Sequence, residues 1–388
     1  MVHVSGGLIA GKIVNANIID TMIADSTSMA NNTFGDRNLN LDFKYPADLF
    51  HHNGKGGRLI DVTQAPYNAK GDGITDDTNA LVKAYDFVLK EMDKFKWDSG
   101  FGSISDVEYI IYLPNGTYLV SDTVIYSETW RQFEDMSENN KKSNGAKLFE
   151  KLVKIRFFGQ NRQNTIIKLK NNCEGFDKDA KSVVSFGKAD FNNAVAYNSF
   201  RNITINTGKG NPSAIGLDFG GANNTGIHNV AIISEDGRGK AGIDFRMSPA
   251  MGYHNDIIID GFDYGVRMVP YFMTHHVFEY ITTKNQNKAG IKLLECSTSI
   301  RKWHSINKVS AFELTTDSAQ AIIIDSKLEG KTSNIPAIDA KLGYLFVRNI
   351  ESIGYSNAIS YKGKKIDTGN TVPEYVGGAI LSLKENQN

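Results

Sequence analysis

Between residues 182 and 361 the chain alternates apolar and polar positions in short bursts, and the bursts repeat. Each runs small residue, apolar, outward residue, apolar: Gly216-Leu217-Asp218-Phe219, Gly242-Ile243-Asp244-Phe245, Gly265-Val266-Arg267-Met268, Gly290-Ile291-Lys292-Leu293, Ala311-Phe312-Glu313-Leu314, Ala337-Ile338-Asp339-Ala340 and Ala358-Ile359-Ser360-Tyr361. Successive bursts lie 21 to 26 residues apart. Further short alternating stretches follow within each unit, such as Asn202-Ile203-Thr204-Ile205 and Asn229-Val230-Ala231-Ile232. Alternation at period two predicts half-buried strands. A unit of this length with short strands and no helix cannot bury its apolar face alone, so it must stack on its neighbours as a parallel β-helix.

Stacked strands lie about 4.8 Å apart, so equivalent side chains form columns. The outward position predicts a column Asp218, Asp244, Arg267, Lys292, Glu313, Asp339. Upstream, Ala80, Leu81, Ala84, Phe87, Val88, Met92 and Phe95 share one face of a predicted helix over about 76–95. Thr75 or Asp76 can cap its free N–H groups. Such a helix would cover the end of the solenoid, where unpaired strand edges would otherwise be exposed. Tyr109 to Val120 reads as strand, tight turn, strand, with Asn115-Gly116 supplying positive φ.

Residues 1–60 lack the repeat and predict an irregular N-terminal arm lying along a β-helix domain of residues 61–388. His51 and His52 read as a surface turn and not as metal ligands, because no third ligand is near. Glu128 to Glu150 is polar and aperiodic, a loop long enough to suggest function, with Trp130 as a ring to close over a sugar. The pattern fades past residue 361, where the chain should wrap the far end.

The 43 basic and 43 acidic residues balance, and no run of like charge offers an electrostatic footprint for nucleic acid. Cys173 and Cys296, the two cysteines, have no metal-ligand spacing and read as buried free thiols. No apolar run is long enough to span a bilayer, so no membrane insertion is expected. No charged start followed by an apolar stretch marks a signal peptide; a secreted or cell-surface protein is expected.

The GDGITDDT string at 71–78, the helix behind it and LPNGTYLV at 113–120 together resemble the opening of the pectate-lyase-like superfamily. The string GKADFNNAVAYNSFRNITI at 187–205, followed by glycine-marked repeats, is similar to bacterial proteins described as glycosyl-hydrolase-28-related. The resemblance implies an all-β solenoid, a single-stranded right-handed parallel β-helix with an N-terminal capping α-helix. It also implies a carbohydrate-active protein, and it assigns the paired aspartates Asp76 and Asp77 to the capping helix. No NTD, GHG or RIK motif and no second paired DD follows that helix, and WIDH is absent, so neither the polygalacturonase nor the calcium pectate lyase mechanism carries over.

Glycoside hydrolysis needs two carboxyl groups about 5 Å apart for retention or about 6.5 to 9.5 Å apart for inversion. Asp218 and Asp244 are equivalent residues of consecutive units and fall in the lower range. Two acids that close cannot both ionise freely, and a raised pKa on one is what a general acid requires. The competing reading of the same column is a ladder of ion pairs, Asp244 with Arg267 and Lys292 with Glu313. Asp236, in the turn Ser234 to Gly239, and Glu279, in His275 to Tyr280, are substitutes if the register differs. Arg267, Tyr271, His275 and Trp303 are the candidates for positioning a sugar.

A glycoside hydrolase cleaving a polysaccharide without a cofactor is therefore the leading expectation. A polysaccharide lyase acting on a uronic-acid polymer is second; there Asp218, Asp236 and Asp244 would hold Ca²⁺ beside Arg267 or Lys292. A tailspike-like carbohydrate-binding protein is third. The partner is a polysaccharide or oligosaccharide, and the assembly a monomer or homotrimer.

Overall fold

The computed structural model describes residues 33–45, 59–92, 109–124, 156–186, 198–220, 224–245, 251–268, 275–331, 334–366 and 369–378. Within them the chain forms an all-β solenoid of coils stacked in parallel. Each full coil places strands on three faces. Face I carries the glycine-marked bursts: Lys181–Ser185, Ala214–Asp218, Ala241–Phe245, Tyr264–Met268, Ala289–Leu293, Phe312–Leu314, Pro336–Ala340 and Asn357–Tyr361. Faces II and III are the two halves of longer strands such as Gly226–Ile233, Met251–Asp260, His275–Lys284, Gln320–Gly330 and Tyr344–Ile353.

A residue with positive φ separates the halves at Asn202, Asn229, Asp256, Tyr280, Lys302, Asp325 and Asn349. Registers such as His228 with Asn255, Asn255 with Glu279, and Ile324 with Arg348 stack these bends into one column. A left-handed residue breaks the inside-outside alternation of a strand, so interior positions across the bend are three apart instead of two. The interior pairs are Phe200 and Ile203, Ile227 and Val230, His254 and Ile257, Phe278 and Ile281, Ile300 and Trp303, Ile323 and Ser326, Val347 and Ile350, all fully buried.

The small residue of each burst also has a packing cause. A Cβ on Gly216 would stand 2.3 Å from the side chain of Ile232, and one on Gly242 2.3 Å from that of Ile259. Faces I and III converge there too closely for a side chain.

The helix α1, Thr78–Met92, buries Leu81, Ala84, Tyr85 and Val88 against Ile60, Val62, Ile111, Leu113 and Tyr118 of the first coils. Asp76 caps it, accepting from the Thr78 N–H at 3.0 Å and from the Thr78 hydroxyl. Asp77 instead accepts from the N–H groups of Lys70 and Gly71, which holds the preceding loop. The turn at Asn115-Gly116 differs from expectation. Neither residue has positive φ, and the flanking strands, Ile110–Leu113 and Gly116–Val120, pair with different partners on faces II and III. It is a corner of the coil, and its glycine is needed because a Cβ would meet the Gly71 carbonyl at 2.8 Å. At the far end Lys364–Ile366 and Thr371–Gly377 pair antiparallel with the last coils, so the solenoid stops on reversed strands.

Residues 34–45 lie along the solenoid, crossing its coils. Gly35 donates to the Lys302 carbonyl, and Arg37 forks onto Asp256 at 2.6 and 2.5 Å. Asp36 receives Arg162 at 2.6 and 3.0 Å, Asp42 receives Gln160, and Phe43 accepts from the Tyr112 hydroxyl. Residues 1–32, His51, His52, Trp130, Tyr271 and the 187–197 string lie outside the described residues. Among the described residues no helix is long and apolar enough to cross a membrane.

The side chains of Arg162 and Asp36 are only 4% and 6% exposed, so removing one strands the other's charge. Arg162→Ala should therefore cost about 3 kcal/mol or more, read as a fall in the urea midpoint. A change below about 0.5 kcal/mol would show that the segment is a passive covering.

Candidate functional site on face I

Backbone pairing puts Asp218 opposite Asp244, Asp244 opposite Arg267, Arg267 opposite Lys292, Lys292 opposite Glu313 and Glu313 opposite Asp339. The predicted outward column thus exists in the predicted order, with Ser185 before it and Ser360 after it. Asp244 is fully buried, and Asp218 is 7% exposed. Arg267 forks onto Asp244, Nε to Oδ1 at 3.2 Å and Nη2 to Oδ2 at 2.5 Å, and keeps part of its own surface in solvent. Lys292 and Glu313 approach at 3.7 Å. Both ion pairs of the ladder reading are present, and the Asp218 and Asp244 pair sits at one end of the same column.

The other candidates lie elsewhere. Asp236 holds the turn between faces III and I, accepting from the N–H groups of Gly210 and Arg238 and from the Ser234 hydroxyl. Burial pushes its pKa up, but those hydrogen bonds outweigh it and leave the carboxyl below its usual range. A carboxyl in that state fixes a turn and is poorly suited to give a proton to a leaving group.

Glu279 projects from face II, not from face I, and its carboxylate takes the Tyr253 hydroxyl at 2.7 Å and Arg301 at 2.5 Å. His275 is also on face II, with Nε2 3.1 Å from the Ser299 hydroxyl. Trp303 is fully buried and donates Nε1–H to Thr283 Oγ1 at 3.0 Å, so it offers no ring to a sugar. The three-residue step across the bend is what turned it inward. Among the described residues no group of three His, Cys, Asp or Glu side chains is so arranged that it could hold a metal ion.

Three histidines occupy places that their sequence did not reveal. His254 and His276 sit in the aromatic interior beside Phe245 and Phe278. The Ile227 N–H points at His254 Nδ1, so the His254 hydrogen lies on Nε2 and is donated to His276 Nδ1 at 3.2 Å. Burial, then the neighbouring His276, hold His254 well below the ordinary imidazole range. Burial also takes His276 down to about 3, and burial with Arg201 takes His228 down to about 4.

No curated protein matches the chain. A family model described as "Rhamnogalacturonase A/epimerase, pectate lyase-like" matches residues 59–311, well over half of it. Among solved structures the chain is similar to the catalytic domain of Agl-KA, with 14% identity, a TM-score of 0.44, and 82% of this chain and 57% of that one covered. It is similar to an iota-carrageenase of family GH82 from A. fortis, with 14% identity, a TM-score of 0.44 and coverage of 78% and 59%. It is also similar to the A-module of the mannuronan C-5 epimerase AlgE4 of Azotobacter vinelandii, with 14% identity, a TM-score of 0.36 and coverage of 76% and 87%. The chain spans less than two thirds of the length of the first two.

The neutral histidines set a pH dependence. Their folded pKa values lie below the unfolded value of about 6.5, so the unfolded chain takes up protons first as pH falls. Stability should be full above about pH 6.5 and decline toward pH 4, with about 1.4 kcal/mol per pH unit from each histidine. Urea unfolding between pH 7 and 5 should show this slope, and His228→Gln should reduce it by about a third. A flat profile in the parent protein would contradict the neutral assignment.

Proposed function

The chain belongs to the rhamnogalacturonase A/epimerase, pectate-lyase-like family, and from that premise we propose that it is a carbohydrate-active enzyme, a glycoside hydrolase that cleaves a polysaccharide along face I. The observation that carries this reading is the pairing of Asp218 with Asp244 on adjacent coils, with Arg267 forked onto Asp244. Backbones one coil apart are about 4.8 Å from each other, which brings two carboxyl groups to the scale of glycosidic chemistry.

The roles divide by burial. Asp244 is fully enclosed and cannot touch a sugar in this arrangement, so its part is that of a positioning residue. An arginine fork favours the ionised carboxylate. Its fixed negative charge, shielded from water, would stabilise positive charge growing at the anomeric carbon. Asp218, at the edge of solvent, takes the role of proton donor in this scheme. Its carboxyl gives that proton to the glycosidic oxygen as the bond from the anomeric carbon breaks. Water adds to the anomeric carbon, and a proton from that water restores the acid. Arg267, which is partly exposed, would meet substrate hydroxyls in this scheme. No cofactor enters the scheme, and a polysaccharide substrate makes a secreted or cell-surface place of work the natural one.

The purified protein should release reducing ends from a member of a panel of neutral and uronic polysaccharides, without the ultraviolet absorbance of unsaturated uronates and regardless of EDTA. Asp218→Asn, followed by both turnover and melting temperature, should lower kcat by about 100-fold or more. Asp244→Asn should lower both kcat and the melting temperature, since it leaves Arg267 beside a neutral group in a buried site. Full activity in Asp218→Asn would sink the assignment. Absorbance abolished by EDTA would support a calcium-dependent lyase instead, and saturable binding without any product would support a tailspike-like binding protein.

A further inference from the structure

Face II carries a cation with no acidic partner. Arg201 ends the strand Ser199–Arg201, opposite Phe158 on one side and His228 on the other. Its Nε donates to Ser199 Oγ at 2.7 Å, and its guanidinium lies 5.2 Å from the centre of the Phe158 ring. Among the described residues no carboxylate pairs with it. Among the described residues Arg37, Arg162, Arg267 and Arg301 each close on an aspartate or glutamate. Arg201 is reached by solvent, yet crowding protein desolvates it. That burial first, and the like charge of Arg156 second, pull its pKa below the usual guanidinium range. A cation held against a second cation, in partly dehydrated surroundings and open on one side, is the arrangement that an incoming anion relieves.

The neighbouring residues extend the site along the face. Asn255 turns its amide N–H₂ toward Asp256 and its oxygen toward His228 Nδ1, 2.5 Å away. The His228 ring is neutral at pH 7, so its hydrogen sits on Nδ1 and Nε2 is left as an acceptor. The glycine at 226 makes room for that ring, since a Cβ there would stand 2.1 Å from Nε2. Tyr253 is next, 43% exposed, with its ring tilted against His228 at 5.9 Å and its hydroxyl fixed by Glu279. From Arg201 to the coil that holds Tyr253 is two coil spacings, roughly 10 Å. A guanidinium fork, a bare imidazole acceptor and an exposed, anchored aromatic ring thus follow one another along one flat sheet.

We propose that face II carries a binding subsite for an acidic oligosaccharide, in which Arg201 receives a carboxylate or sulfate ester, His228 Nε2 accepts from a hydroxyl, and Tyr253 stacks against a sugar ring. The site is on a different sheet from the aspartate pair of face I. It takes only the carbohydrate class from the proposed function, so it stands even if the chain cleaves nothing.

Titration calorimetry of the whole protein at low salt tests it with four probes: a trigalacturonate, a sulfated galactan oligosaccharide, a neutral galactan oligosaccharide and inorganic sulfate. At least one acidic oligosaccharide should bind, and which one does identifies the anionic group. Arg201→Gln should weaken that binding at least about tenfold. Tyr253→Ala should weaken the oligosaccharide and leave inorganic sulfate unchanged. Arg201→Gln strands no carboxylate among the described residues and gives up only the Ser199 hydrogen bond and the Phe158 contact. It should therefore stay folded and melt within a few degrees of the parent without ligand, and loss of binding cannot be put down to unfolding. Equal binding by the parent and Arg201→Gln would overturn the proposal, as would affinity for inorganic sulfate equal to that for the oligosaccharides, or no binding by either acidic sugar. Because binding is read without turnover, its failure is distinguishable from failure of the hydrolase reading.

Discussion

Hydrogen bonding from one coil to the next is the interaction on which the rest of this molecule depends. Parallel pairing with no slip through seven consecutive strands of face I makes each residue's neighbours predictable from its place in the repeat. One consequence is an interior that is continuous among the described residues, from Ile60 to Val372. Another is that like charges cannot avoid one another: Asp218 must stand beside Asp244, and Arg267 beside Lys292. The fork of Arg267 onto Asp244 answers part of that repulsion. The acidic pair of face I and the basic neighbours of face II arise from the same rigid stacking.

The bend column is the second constraint. Asn and Asp tolerate the left-handed region better than other side chains, and they fill five of the seven stacked bends, from Asn202 to Asn349. The segment 34–45 runs along this line of bends, where Arg37 is bound by Asp256 and also lies 4.4 Å over the ring of Tyr280. Its charges pair almost wholly with residues far away in sequence, so it works as a strap across coils and is not a continuation of them.

The glycine-marked bursts made face I legible from the sequence because one strict alternation and one small residue repeat in every coil. The capping helix was legible for the same reason, with Leu81, Ala84 and Val88 at helical spacing. What alternation could not supply was the phase beyond the bend. Trp303 read as a surface ring and is a core residue, because Lys302 takes positive φ and Ile300 and Trp303 both face inward. Glu279 read as a neighbour of the acidic pair and stands on another sheet, because which face a strand joins is set by the packing of whole coils and not by its own alternation. Asn229 and Asn202 announce the bend; Tyr280 and Lys302 do not. Arg201 was invisible as a site because its distinction is that no carboxylate among the described residues pairs with it, and that can be seen only once the coils are stacked.

On the proposed function, coil stacking makes the outward positions of face I a substrate track with the Asp218 and Asp244 pair at its reacting point. A crystal structure of Asp218→Asn soaked with an oligosaccharide of the polymer that the parent degrades tests this most directly. Sugar density should lie across face I, with a glycosidic oxygen over position 218 and Arg267 within hydrogen-bond reach. Sugar bound only on another face, with the column of face I in contact with water alone, would contradict it.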